Sequence, residues 1–79
     1  MKQQALERLE KYIADKQKSI DELHEEGILE REDVVKRVTA IRGYALALFE
    51  CDIISYSEYD EIRANIRGFR RHNLEKVDC

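Results

Sequence analysis

The stretch LHEEGIL at residues 23–29 decides the fold, because it returns 25 positions later as LFECDII at residues 48–54. Each copy is followed at the same distance by the tripeptide Ile-Arg-Gly, at residues 41–43 and again at residues 66–68. Each copy has the pattern of a helix end, a tight turn with two apolar residues, and the start of a new helix. The repeat therefore predicts three helices joined by two similar tight turns, which gives an all-α three-helix bundle as the fold class.

The length and composition of the chain limit the size of its core. Seventy-nine residues form a single helical domain, residues 1–79, whose core supplies only about 3–5 kcal/mol. Apolar residues make up 43% and charged residues 39%, a balance typical of highly charged helical proteins rather than of disordered chains. With so small a core, we expect leftover apolar surface that a second copy or a different protein would cover.

The first helix is expected to be the longest, running from about Lys2 to Glu26. Its apolar residues follow a 3-4 spacing that only Lys16 interrupts, as in a coiled-coil seam. These residues are Leu6, Leu9, Ile13, Ile20 and Leu23. Gly27 follows at the position where a helix C-terminus favours a left-handed residue.

The second helix is expected from about Arg31 to Glu50, in the centre of the bundle, because it is apolar over more of its circumference than its neighbours. Its apolar residues are Val34, Val35, Val38, Ile41, Ala45, Leu46, Leu48 and Phe49. Gly43 lies in mid-helix, which predicts close helix packing there or a kink. Glu30 is a weaker N-cap than serine, so a less sharp helix start is expected.

The third helix is predicted to begin at a capping box formed by Ser55 and Glu58. We expect this third helix to be the shorter one of the bundle, with residues 74–79 as a frayed tail. Its buried face is predicted from a 3-4-3 spacing of apolar residues: Tyr59, Ile62, Ile66 and Phe69.

The second turn and the residues after it, DIISYSEY at 52–59, resemble the SHOCT family of short helical modules. That family reads approximately as a helix, then Gly-Ile-Ile-Thr, then an acidic and an aromatic residue that open a second helix. Here Asp52 replaces the glycine, and in the first turn Glu30 replaces the hydroxyl residue. The resemblance implies a role in oligomerisation or protein contact, and no catalysis.

Acidic residues crowd the first turn, and we call this group the acidic corner. Its members are Glu22, Glu25, Glu26, Glu30, Glu32 and Asp33, together with Asp21 directly before Glu22. A calcium loop needs alternating oxygen ligands around a central glycine, and that spacing is missing. Two interpretations remain: a solvated face, or a patch that docks on a basic partner surface in the manner of a nucleic-acid phosphate backbone.

The third helix carries the opposite feature, an arginine stripe formed by Arg63, Arg67, Arg70 and Arg71. At 100° per residue the four side chains cover about 100° of the helix circumference. Such a stripe can grip phosphates, so a nucleic-acid-binding module is one hypothesis. The net charge of −3 argues against it. The alternatives are a solvated stripe and a helix C-terminus that pairs with the acidic corner of this or a second chain.

No pattern in the chain predicts catalysis, a cofactor or a metal site. His24 and His72 stand in different helices without the spacing of ligands, and Cys51 and Cys79 are expected to be free thiols. The chain contains no glycine-rich phosphate loop or catalytic triad, so we expect no enzyme. Tyr56, directly after the cap, is the candidate interface aromatic because tyrosine buries area and keeps its hydroxyl in water.

These observations lead to a ranked set of functional hypotheses. The first is a small non-catalytic protein-interaction module, a regulator or inhibitor of the phage or mobile-element type, that binds a larger macromolecular target. The alternatives are a nucleic-acid-binding helical module and a structural homo-oligomer. Because no stretch approaches about 18 apolar residues and residues 1–12 lack a signal-peptide pattern, we expect a cytoplasmic protein without membrane contact.

Overall fold

Three α-helices form the computed structural model, which describes residues 1–78. Helix α1 spans Lys2–Glu25, α2 spans Arg31–Glu50 and α3 spans Tyr56–Val77. Helix α2 contacts both neighbours extensively, whereas α1 and α3 touch each other at few positions. The predicted all-α three-helix bundle with a central second helix is thus confirmed. Cys79 lies outside the described residues.

The two turns have the same backbone structure, residue for residue. In the first turn the N–H of Gly27 donates to His24 O at 3.0 Å, and the N–H of Ile28 donates to Leu23 O at 3.1 Å. In the second turn the N–H of Asp52 donates to Phe49 O at 3.0 Å, and Ile53 to Leu48 O at 2.9 Å. This pair of bonds is the Schellman motif, which satisfies the last free carbonyls of a helix.

The Schellman motif requires a left-handed residue after each helix, and the two turns supply it differently. Gly27 has φ +73°, a conformation that costs glycine nothing. Asp52 has φ +59°, in the same region, although it carries a Cβ. Aspartate tolerates this conformation better than most residues, which explains how it replaces the glycine of the first turn.

The N-termini of α2 and α3 are both closed by an acidic side chain three residues into the helix. Ser55 Oγ accepts from the Glu58 N–H at 3.2 Å, and the Glu58 carboxylate accepts from the Ser55 N–H at 2.8 Å. The Asp33 carboxylate accepts from the Glu30 N–H at 2.9 Å. The capping box at α3 is as predicted, and α2 begins sharply at Arg31 because Asp33 supplies half of the same arrangement.

The core is built mainly by one face of α2. Its four buried residues, Val34, Val38, Ile41 and Ala45, form a continuous cluster with Ile66 of α3. Helix α1 adds two buried residues and the second turn adds one: Leu9, Ile20 and Ile54. The spacing of these residues places α2 against both other helices, as its broad apolar face predicted.

The apolar face of α2 is not buried throughout, and one expectation for this helix is wrong. Val35 and Leu46 belong to the apolar residues of α2, but both are substantially exposed, because they lie on the flank of α2 that faces outward beside α3. Gly43 was expected to mark close packing or a kink. Helix α2 runs through it without interruption, and a Cβ built there meets no atom within 4 Å.

The expectation of a frayed tail from residue 74 is also wrong, because α3 continues to Val77. Leu74 and Val77 pack against the core cluster, and Asn73 before them is fully buried. Helix α3 therefore has 22 residues, two fewer than α1 and two more than α2, so α2 is the shortest helix.

A polar network between α1 and α3 holds this last part of the bundle. Gln17 Nε2 donates to Asn73 Oδ1 at 2.8 Å, and Asn73 Nδ2 donates back to Gln17 Oε1 at 3.0 Å. Gln17 also donates to the Asp21 carboxylate at 3.0 Å, and Lys76 Nζ donates to the same oxygen at 2.7 Å. The hydrogen bond from Lys76, then that from Gln17, lowers the pKa of Asp21. The network fixes the register of α3 against α1.

Candidate functional site

A groove runs between α2 and α3 on the side of the bundle away from α1, and arginines line it. One end is a cavity of about 300 Å³ lined by Arg42, Tyr59, Arg63, Ile66 and Arg67. The adjoining cavity of about 550 Å³ is lined by Val35, Val38, Thr39, Arg42, Arg67, Arg70 and Arg71. We call this feature the arginine groove. Among residues 1–78, no acidic side chain lines either part of it.

The structure brings all four residues of the predicted arginine stripe into this groove and adds Arg42 from α2. Arg42 lines both cavities, as Arg67 of α3 does. Arg42 was not among the predicted site residues. Its position in the sequence could have indicated it, because Val35, Thr39 and Arg42 recur at the spacing of helical turns and so share one flank of α2.

The positive charge of the groove is not neutralised by the described part of the chain. Ion pairs within 4.0 Å among residues 1–78 join Lys2 to Glu58, Arg37 to Asp33, and Lys76 to Asp21. None of them involves a groove arginine. The Glu58 carboxylate, which precedes the stripe, is held by hydrogen bonds from Ser55 first and Lys2 second, and both lower its pKa. This carboxylate is thus bonded to Ser55 and Lys2 and forms no ion pair with a groove arginine.

The aromatic side chain that lines the groove, Tyr59, packs against Phe49 and Arg63. The ring of Tyr59 stacks on Phe49 with centroids 4.9 Å apart and an interplanar angle of 15°. The guanidinium of Arg63 lies 5.8 Å from the Tyr59 centroid. The sequence analysis predicted Tyr59 to be core, and it is half-buried against the core cluster. With Phe49 on the ring and Arg63 beside it, Tyr59 offers little free face to a ligand.

The acidic corner is only partly available for binding. Asp33 accepts the Glu30 N–H and Asp21 is bonded to Lys76, so these carboxylates hold the fold together. The remaining members are exposed around the first turn: Glu22, Glu25, Glu26, Glu30 and Glu32. Ile28 stands among them, exposed at the tip of the turn. Within residues 1–78, the cavity beside the first turn is lined by His24, Gly27, Leu29, Lys76 and Val77, none of them acidic.

Tyr56, the candidate interface aromatic, is 63% exposed at the start of α3. Its ring meets Phe49 edge-on, with centroids 5.9 Å apart. Phe49 therefore joins Tyr56 to Tyr59 at the second turn, far along α2 from the first turn. Tyr44 packs instead on Tyr12 of α1, with ring centroids 4.9 Å apart.

The two histidines and Cys51 lie at the surface of the bundle. His24, His72 and Cys51 are all exposed. Within residues 1–78 no three side chains of the metal-binding types are grouped together. None of the helices over the same residues combines the length and apolar character needed to cross a membrane.

The geometry thus singles out one surface, the arginine groove, where side chains from two helices converge. Sequence comparison adds no relative to this picture. No protein-family model, curated protein or solved structure matches this chain. The resemblance of the two turns to the SHOCT family therefore stays a prediction.

Proposed function

We propose that this protein is a small non-catalytic interaction module that binds a protein partner through the arginine groove. In this proposal it acts as a regulator or inhibitor of a larger macromolecular target. The observation that carries the proposal is the convergence of five arginines from two helices on one groove. Arginine suits such a site because its planar guanidinium pairs with carboxylates in a fixed, bidentate geometry.

Energetics support the use of this surface for binding. Five like charges on neighbouring turns repel one another, and no carboxylate within residues 1–78 comes within 4.0 Å of them. A partner that supplies carboxylates would relieve this repulsion on binding. The acidic corner supports the proposal less, because two of its carboxylates already stabilise helix ends and helix packing.

The experiment is a pull-down of the tagged full chain from host lysate, with and without nuclease, read by mass spectrometry and absorbance. The groove variant replaces four arginines with glutamine: Arg42, Arg63, Arg67 and Arg70. The control variant removes the same charge from exposed cations elsewhere, namely Arg8, Lys11, Lys18 and Lys36, which lie outside the groove.

We expect one protein at near-stoichiometric yield despite nuclease, lost with the groove variant and kept with the control variant. Equal recovery by both variants would refute the assignment of the function to the groove. A bait that returns only itself, with a thermal midpoint that rises with its concentration, would favour the structural homo-oligomer instead.

Nucleic-acid binding is the second candidate, because the same arginines could grip phosphates. It predicts that nuclease removes the captured material and that binding weakens steeply with salt. The charge of −3 on the whole chain supports the protein partner over this alternative, since it gives no long-range attraction to a polyanion.

A further inference from the structure

We propose that the segment which occupies the arginine groove is an amphipathic α-helix of the partner, with an apolar seam flanked by carboxylates. This inference rests on the proposed function and names the kind of partner surface. Three observations lead to it: the apolar residues between the arginines, the spacing of the arginines, and the packing of the groove tyrosine.

The groove is cationic on its α3 side and at Arg42, and the same flank of α2 carries two exposed apolar side chains. Val38 and Ile66 form part of the floor and are already buried, whereas Val35 on the wall is 39% exposed. Leu46, one turn beyond Arg42 on α2, is 40% exposed. A phosphate backbone gains nothing by covering Val35 and Leu46. A partner with its own apolar seam removes these two side chains from water while its flanks meet the guanidinium groups.

The arginines of α3 recur at the spacing of helical turns. Arg63, Arg67 and Arg70 stand at positions i, i+4 and i+7, so successive guanidinium groups are offset by about 5 Å along the helix axis. A second helix that lies alongside presents carboxylates at the same interval. From Arg63 to Arg71 the row covers about 12 Å, which corresponds to about two turns of the partner helix.

The packing of Tyr59 disfavours single-stranded nucleic acid as the occupant. Sequence-tolerant binding of single strands depends on bases that stack on aromatic faces. Tyr59 is the aromatic residue that lines the groove, and its ring is stacked on Phe49 and bordered by Arg63. The groove therefore offers positive charge but no free aromatic face for a base to stack on. A helix that carries carboxylates needs only the positive charge.

The test measures binding of the full chain to a labelled designed helix of about 20 residues, by fluorescence anisotropy. The peptide carries leucine along one seam and glutamate on both flanks. A second peptide has the same composition with the leucines dispersed around the helix. A third replaces the flanking glutamates with lysine. Single-stranded and duplex oligonucleotides of about 20 nucleotides complete the set of probes.

We expect the seam peptide to bind one protein chain and the dispersed peptide to bind about tenfold more weakly or worse, because it cannot cover the apolar wall. R67E together with R70E should weaken binding of the seam peptide by about tenfold or more, and should strengthen binding of the lysine peptide relative to the parent protein. V35S should cost about threefold through lost apolar contact. The control pair R8E and K11E should leave binding unchanged.

Equal binding of the seam and dispersed peptides, no binding of either, or a charge swap without rescue would each overturn the inference. The pull-down separates this failure from that of the proposed function. A protein captured through the groove arginines while the seam peptide does not bind leaves the proposed function standing and refutes the helical partner. Arginine-dependent binding of an oligonucleotide, with no captured protein, refutes both.

Discussion

Replacing Asn73 with alanine tests whether the polar network between α1 and α3 holds the end of the bundle. Asn73 is 0% exposed and makes three side-chain hydrogen bonds. Two of them join the amide of Gln17, at 2.8 and 3.0 Å, and the third goes to the Phe69 carbonyl at 2.8 Å. The substitution removes all three and leaves a half-buried glutamine amide without its partner.

The expected cost follows from these contacts. Each hydrogen bond contributes about 1 kcal/mol net, and the small cavity adds to the loss, so N73A should destabilise the fold by about 2–3 kcal/mol. A chain of this length has a total stability on the order of 4–12 kcal/mol. The substitution should therefore lower the thermal midpoint by about 10–20 °C.

The assay is urea unfolding followed by circular dichroism, with the dependence of the unfolding free energy on urea concentration held equal for all variants. A double-mutant cycle combines N73A with Q17A. Because both single variants break the same pair of bonds, Q17A with N73A should cost less than the sum, with a coupling energy of about 1–2 kcal/mol. The matched control is N65A, the same change on an exposed face of α3, which should shift stability by less than about 0.5 kcal/mol. An N73A cost no larger than that of N65A, or strict additivity with Q17A, would refute the reasoning.

Three further predictions concern the backbone and one charged contact. G43A and G68A should each stabilise the protein by about 0.5–1 kcal/mol, because a Cβ at either site meets no atom within 4 Å; a lower thermal midpoint would contradict this. D52G should raise stability in urea by about 0.5–1 kcal/mol by relieving the left-handed aspartate, whereas a loss would show that its side chain has another role. Because Lys76 lowers the pKa of Asp21, the contribution of Asp21 is present above its ordinary value of 3.8 and is lost as the pH falls through the lower folded-state pKa. D21N should thus unfold more easily than the parent at pH 7 and alike at the acid end, and a constant difference across the titration would contradict this.

The helices and turns could be predicted because their determinants are local. Gly27 and the apolar pair after it specify a helix end within a few residues, and the repeat transfers that conformation to Asp52. The capping box at Ser55 likewise needs only four residues. These features depend on neighbours along the chain, so they can be predicted without knowledge of the tertiary packing.

The residues that sequence analysis missed depend on how the helices are rotated against one another. Arg42 joins the groove only because α2 turns that flank outward beside α3, and the same rotation exposes Val35. Asn73 continues the 3-4 spacing of Ile66 and Phe69, which was a usable signal for burial. A search for apolar residues does not find Asn73, because its side chain is polar. Its amide can be buried because it forms hydrogen bonds with the amide of Gln17.

The twin Schellman turns have a consequence for cooperativity. They divide the chain into two overlapping helical hairpins, and α2 is an arm of both. Detaching either α1 or α3 would expose the same core residues of α2 to water, Val34 and Ile41 among them. Neither hairpin therefore keeps an intact core without the other. Although the 25-residue repeat resembles two modules in sequence, we expect the chain to unfold as one unit in a single transition.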